Sequence, residues 1–223
     1  MPIARFPDPR RASPEGLLAV GGDLHPDSLL LAYRSGIFPW PIEGMPLPWF
    51  CPPERAILEF SRLHIPRSLR GARNRATLRF SVDEAFGQVI RACADTPRYE
   101  PGRKKPSGTW ITREIVDAYS ELARIGHAHS VEAWDGERLV AGIYGVEVDG
   151  TFSAESMFHL VSDASKLCLW RLIEELQRGG AEWLDVQMMT PHVQRLGARP
   201  MKRDQYLKLL KETHERGLRL FQK

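Results

Sequence analysis

Between residues 113 and 125, "REIVDAYSELARI", the apolar side chains Ile115, Val116, Tyr119, Leu122 and Ala123 recur three and four apart, the spacing of one helix face. Thr112 can cap that helix and Gly126 can stop it. The pattern then changes to three strand-like runs, "HSVEAW" (129–134), "RLVAGIYGVEV" (138–148) and "TFSAES" (151–156), separated by Asp135-Gly136 and Asp149-Gly150. Such dipeptides between apolar runs are hairpin signals, so an antiparallel meander is expected. Asp163 can cap a helix from Ala164 to about Arg178, ended by Gly179-Gly180. After it, "EWLDVQM" (182–188) reads as a strand and "RDQYLKLLKETHERG" (203–217) as a last helix. Upstream, Ser81 and Glu84 have capping-box spacing and predict a helix through about Ala94. Meander, helix, strand, helix is an α+β layout with a mostly antiparallel sheet flanked by helices.

The first sixty residues are patterned differently. Pro26 suits a first helical turn and Gly36 a stop, so "PDSLLLAYRS" (26–35) is expected to be a short helix. The prolines of "FPWPIEGMPLPWFCPPER" (38–55) argue against regular structure there and for a stiff, irregular segment packed through its aromatics. A boundary is placed near Arg62, giving a small N-terminal domain, residues 1–61, and a larger one, residues 62–223. No internal repeat or low-complexity tract interrupts either.

Composition narrows the function classes. No apolar run approaches the ~20 residues that cross a bilayer, and the first ten residues lack the apolar core of a secretory signal, so a cytoplasmic protein without a membrane role is expected. Cys51, Cys93 and Cys168 are odd in number, far apart and without a C-x-x-C pair, which argues against a disulfide framework or a zinc site and for buried small hydrophobes. Net charge is only +3, from 31 basic and 28 acidic residues, but it is unevenly placed. Arg62, Arg67, Arg70, Arg73, Arg75 and Arg79 follow one another without an acidic residue between them, and "RYEPGRKK" adds Arg98, Arg103, Lys104 and Lys105. Such a tract is either a solvated face or a phosphate-binding surface.

Three polar residues stand where strands ought to be apolar: Glu155 near the end of the third meander strand, and Asp185 and Gln187 on the later strand. Side chains two apart on a strand share a face, so Asp185 and Gln187 are expected to project together, a carboxylate beside an amide. Polar groups satisfied at a sheet end would give the same spacing. His127 and His129 could share a strand face, but no third ligand follows at a suggestive spacing, and Ser156 lacks a nucleophile-elbow motif.

The longer motifs go further. "GLLAVGGDLHPDSLLLAYRSGIFPW", "GTWITRE", "GHAHSVE", "AESMFH" followed by "ASK", and "LDVQMMTPHVQRLGA" closely resemble the leucyl/phenylalanyl-tRNA–protein transferases of bacteria, in family order from about Gly16 to Tyr206. The resemblance implies a small N-terminal domain joined to an acetyltransferase-like (GNAT-like) catalytic domain. It implies transfer of leucine or phenylalanine, methionine less well, from its tRNA to the α-amino group of proteins that begin with Arg or Lys, marking them for N-degron proteolysis. An aminoacyl ester is already activated, so neither a cofactor nor a metal is called for. The implied aminoacyl side-chain pocket has Trp40, Trp110, Phe152, Met157 and Leu176, the last where the family often has an aromatic. The implied catalytic residues are Asp185, Gln187 and Glu155, with Asp185 orienting Gln187 or taking a proton, and Glu155 binding a substrate cation. Arg62, Arg67, Arg70, Arg73 and Arg75 become a candidate tRNA surface, and a monomer is expected. Two other readings compete. A CoA-dependent N-acetyltransferase would use the string Gln194 to Arg199, with Arg199 where a small residue belongs, and a catalytically silent RNA-binding module would use only the arginines.

Overall fold

The computed structural model describes residues 1–97 and 109–221. The basic segment 98–105 lies outside the described residues. In chain order the elements are β1 (Leu17–Val20), α1 (Pro26–Arg34), β2 (Phe38–Pro39), β3 (Pro48–Phe50), β4 (Glu54–Glu59), α2 (Arg67–Arg75), β5 (Arg79–Val82), α3 (Phe86–Asp95), α4 (Arg113–Arg124), β6 (Ala128–Asp135), β7 (Arg138–Val148), β8 (Thr151–His159), α5 (Ala164–Arg178), β9 (Trp183–Gln187), α6 (Pro191–Arg195), β10 (Arg199–Lys202) and α7 (Arg203–His214).

The expected meander is present as β6, β7 and β8 in the middle of a seven-stranded sheet of order β10-β4-β9-β8-β7-β6-β5. Asp149 and Gly150 both take positive φ, 48° and 83°, which is what the tight turn between β7 and β8 requires. Helices cover both faces. α5 and α2 pack on one, through Leu167, Leu172 and Leu69, and α3, α4 and α1 on the other, through Val89, Ile115 and Leu29. β7 is therefore buried from Val140 to Val148, and its sequence reads as a continuous apolar run rather than an alternation. The α+β class, with a mostly antiparallel sheet flanked by helices, is as expected.

Three expectations are corrected. The proline-rich stretch is not irregular: β2 and β3 join β1 in a small antiparallel sheet of order β1-β3-β2. Its prolines are tolerated because Pro39 lies on the edge strand and Pro48 opens β3. Ser81 does not cap a helix. It lies on β5, where its hydroxyl donates to Glu132 (2.6 Å) and accepts from Trp134 Nε1 (2.8 Å), and α3 starts only at Phe86. Asp163 does precede α5, but its carboxylate holds Lys166 Nζ (2.6 Å) instead of a helix N–H.

β4, β10 and the helical form of the arginine tract (α2) had no clear periodic signal. β4 precedes Arg62 yet lies between β10 and β9 in the larger sheet. Cys51, Cys93 and Cys168 are all buried. Among the described residues no helix is long and apolar enough to cross a membrane.

Candidate active site

β8 and β9 are the parallel neighbours of the large sheet, and they pair at Ser153 and Asp185. Beyond that pair the strands part, and Ala154 to Met157 on one side face Val186 to Met188 on the other across a cavity of about 330 Å³. Each strand is bulged at this point. On β8 the register with β7 shifts between Ala154 and Ser156, leaving Glu155 as the extra residue; on β9 the register with β4 shifts between Asp185 and Gln187, leaving Val186. A bulge re-aims the side chains around it. Gln187 itself has φ +60°, and the N–H of Met188 donates to the carbonyl of Val186 (2.7 Å), closing a three-residue turn on a conformation that costs a non-glycine residue energy. In consequence Glu155 and Gln187 meet on the cavity wall, where Gln187 Nε2 donates to Glu155 Oε1 (2.7 Å). One N–H of that amide is committed to Glu155, which leaves its second N–H and its oxygen for a ligand.

Asp185 does not share that wall. The bulge at Val186 separates it from the Gln187 side chain, and the expectation that the two project together is corrected. The Asp185 carboxylate accepts instead from the Gln187 backbone N–H (2.9 Å), from Arg55 Nε (2.9 Å) and Nη2 (2.7 Å), from Tyr206 Oη (3.0 Å) and from Ser153 Oγ (3.2 Å). It is fully buried, and Arg55 is 1% exposed, its guanidinium lying over the rings of Phe38 (4.6 Å) and Tyr206 (4.9 Å). Burial works against the charge on Arg55, but the Asp185 carboxylate beside it more than offsets this and holds its pKa above the ordinary range. What Asp185 does is tie the strained Gln187 turn to a buried ion pair. Arg55 was not singled out in the sequence, although a carboxylate inside a strand calls for a buried cation somewhere.

Two more residues missed by sequence reasoning stand behind Glu155. Tyr33 on α1 faces its carboxylate, where the hydroxyl favours the ionised form, and Tyr33 Oη lies 2.5 Å from Tyr119 Oη on α4. Both hydroxyls are buried, and burial first, then the nearby Glu155 charge, pushes both pKa values well above the usual phenol range. Tyr119 counted only as an apolar helix position in the sequence pattern. Burial raises the Glu155 pKa to about 8, against the opposing effect of the Tyr33 hydroxyl and the Arg55 charge.

The opposite end of the cavity is aromatic and aliphatic. The rings of Trp40 and Trp110 stack 5.1 Å apart, 21° from parallel, and both line the cavity with Met157, Ile143, Leu169 and Val193. Trp40 is held by its N–H to the Pro48 carbonyl (3.0 Å), while Phe38, two residues earlier, is core. Phe152 and Leu176 do not line the cavity. The Phe152 ring fills the space that a side chain at Gly145 would need, 2.4 Å from its Cβ position, and Leu176 is buried in α5 among core residues. A larger hollow of about 780 Å³ lies beside this site, bounded by Ile42, Leu47, Thr109 and Glu114, but neither Gln187 nor Glu155 reaches it.

The remaining candidates lie elsewhere. Arg62 pairs with Glu59 (3.0 Å) and Arg73 with Glu174 (2.5 Å) over the ring of Trp170, and Arg70 Nε donates to the Ile65 carbonyl (3.2 Å). Arg67 and Arg75 are exposed on α2 and form no ion pair among the described residues. His129 is buried between Asp83 (Nδ1–Oδ2, 2.6 Å) and Glu147, stacked 3.9 Å from Phe221. Burial opposes its charge, but the two carboxylates prevail and raise its pKa to about 9. No group of three potential ligands gathers for a metal among the described residues. In the string Gln194 to Arg199, a Cβ at Gly197 would meet the Arg62 carbonyl oxygen at 2.4 Å, so this glycine serves a backbone crossing rather than a phosphate cradle.

A family model described as leucyl/phenylalanyl-tRNA protein transferase matches residues 57–211, and one for the N-terminal domain of the same transferase matches residues 22–53. A protein named leucyl/phenylalanyl-tRNA–protein transferase from Anaeromyxobacter dehalogenans is 48% identical over 96% of this chain and 93% of its own length. One of the same name from Shewanella loihica is 46% identical over 96% and 89%. Among solved structures, that of L-PGS from Bacillus licheniformis aligns with 74% of this chain and 51% of its own, at 16% identity and a TM-score of 0.44.

Proposed function

The chain belongs to the leucyl/phenylalanyl-tRNA protein transferase family, and from that premise we propose that its cavity receives the side chain of leucine or phenylalanine, and less readily methionine, as the ester of its tRNA. The acceptor is the α-amino group of a protein beginning with Arg or Lys, and the product is an N-terminus marked for N-degron proteolysis in the cytoplasm. One observation carries the reading: an apolar cavity, walled by the Trp40–Trp110 stack, ends on the joined polar side chains of Glu155 and Gln187. The amino-acid side chain lies against the tryptophans and Met157, which brings its ester carbonyl to the polar end. The N-terminal part, residues 1–61, supplies Trp40 and, through α1, Tyr33.

Attack of an amine on an ester needs positioning more than activation. A neutral amide is too weak a base to deprotonate an amine, so Gln187 orients the amine through its free oxygen. Asp185 receives donors on both oxygens from Arg55, Tyr206, Ser153 and the Gln187 N–H, and its part is to hold Gln187 in its turn. Glu155 binds the cation of the substrate. An apolar pocket discriminates by about 1–3 kcal/mol per methylene, so leucine over valine is a preference and not an absolute rule. Arg67 and Arg75, which form no ion pair among the described residues, with Arg62, Arg70 and Arg73 beside them on or near α2, meet tRNA phosphates, and the enzyme works as a monomer.

The test is to incubate the purified protein with radiolabelled Phe-tRNA and model proteins beginning with Arg, Lys or Ala, with acetyl-CoA as the control donor. Label on the Arg and Lys proteins alone is expected. Salt-sensitive tRNA binding without transfer would favour the silent RNA-binding module, and acetylation would favour the acetyltransferase.

A further inference from the structure

We propose that Glu155 takes the proton from the acceptor's α-ammonium group, and that the buried hydroxyl pair Tyr33–Tyr119 positions it for that step. The inference rests on the function proposed above and assigns a group to its proton. Glu155 is the carboxyl on the cavity wall beside Gln187, brought there by the β8 bulge, and unlike the Asp185 carboxylate it forms no buried ion pair among the described residues. Gln187 donates from β9, Tyr33 donates from α1, Tyr119 on α4 backs Tyr33, the Arg55 charge on β4 favours the carboxylate, and the Asp185 charge on β9 opposes it. Tyr33 has a single hydroxyl hydrogen. Either hydroxyl of the Tyr33–Tyr119 pair can be the donor, and when Tyr33 turns its hydrogen to Glu155 it accepts from Tyr119.

An arriving ammonium favours the ionised carboxylate, and the Glu155 proton present in the empty site leaves to solvent. One N–H bond of the ammonium then breaks and an O–H bond forms on Glu155. The freed electron pair forms the C–N bond to the ester carbonyl, and the C–O bond to the 3′ oxygen of the nucleotide breaks. That oxygen leaves with the second N–H proton, and Glu155 returns the first to solvent. The exchange is cheap because the two acids match: an α-amino group has a pKa of ~7.7–8 and burial has brought the Glu155 carboxyl to about 8.

Steady-state kinetics against pH, with saturating Phe-tRNA and a varied Arg-starting acceptor, tests this. Glu155→Gln keeps the shape and is expected to lower kcat by about 100-fold or more, a larger change than in the acceptor KM, with the limb that rises towards pH 8 left to the acceptor amine's own titration. A variant with a raised KM but an intact kcat and pH profile would make Glu155 a cation seat only and overturn the proposal. Tyr33→Phe, which keeps the carboxyl, is expected to move the same limb to higher pH, because the ionised form loses a donor. An unmoved limb would remove the tyrosine pair from the proposal. A wild-type chain that transfers nothing overturns the function itself, whereas intact transfer with those variant results overturns only the role given to Glu155.

Discussion

Asp185→Asn preserves side-chain shape and removes one charge from a buried pair. Arg55 is then a guanidinium, 1% exposed, with aromatic rings on both sides and no counter-charge. The new amide also turns a donor toward groups that are donors already, since Arg55, Tyr206 and Ser153 all point hydrogens at that carboxylate. Removing one partner of a buried pair costs about 3–5 kcal/mol. A domain has about 5–15 kcal/mol in all, and for a chain of this size each kcal/mol is worth about 2–4 °C, so the melting temperature should fall by about 6–20 °C. Thermal and urea unfolding followed by tryptophan fluorescence measure this directly, because Trp49 and Trp183 are buried in the native state. The double variant Arg55→Met, Asp185→Leu removes both charges and should recover part of the loss. It cannot recover all of it, since Tyr206, Ser153 and the Gln187 N–H each keep an unmet hydrogen-bonding group at about 1–3 kcal/mol. Transfer by Asp185→Asn should fall even below its melting range, because the Gln187 turn has lost its anchor, and the rising limb of what remains should move to lower pH, because the charge that opposed ionisation of Glu155 is gone. A melting temperature within 2 °C of the wild type would refute the argument that this pair holds the site together.

His129 is held as an imidazolium by Asp83 and Glu147, with a pKa raised from 6.5 to about 9, so the stability it lends is complete below pH ~6.5 and is lost as pH climbs through 9; His129→Gln should flatten the stability curve over that window in urea titrations. Met157→Ala opens the apolar end of the cavity and should shift the Phe-to-Leu ratio of kcat/KM toward phenylalanine by about tenfold, read by competition between the two charged tRNAs. Arg67→Ala or Arg75→Ala should each reduce the slope of log affinity for tRNA against log salt by about 1 with the fold unchanged, whereas Arg73→Ala should also loosen α2, because that side chain holds Glu174 and covers Trp170.

Much of the large sheet could be read along the chain because its signals are local. Thr112 accepts from the Ile115 N–H, Gly126 takes φ +82° and Asp149-Gly150 turn the meander, each within a few residues. The small sheet was not legible because prolines carry a local veto that an edge position or a strand start removes. Ser81 failed as a cap for a related reason: a buried carboxylate, Glu132, on a neighbouring strand claimed its hydroxyl. At the site, Glu155, Gln187, Trp40, Trp110 and Met157 come together around one cavity, while Phe152 and Leu176 lie in the core. The bulge at Val186 that separates Asp185 from the Gln187 amide, like the bulge at Glu155, is a property of strand register, set for Val186 by a partner strand, β4, more than a hundred residues away, and no spacing within "LDVQM" announces it. Tyr33 and Tyr119 are both apolar-face helix positions, and only the packing of α1 against α4 brings their hydroxyls into line behind Glu155.

The most direct measurement is a crystal structure with a non-hydrolysable phenylalanyl-adenosine, the ester oxygen replaced by nitrogen. The account predicts the phenyl ring between Trp40 and Met157, with the carbonyl within hydrogen-bonding reach of the Gln187 amide. A phenyl ring seated instead in the neighbouring hollow bounded by Ile42, Leu47 and Thr109, with the Trp40 cavity empty, would contradict it.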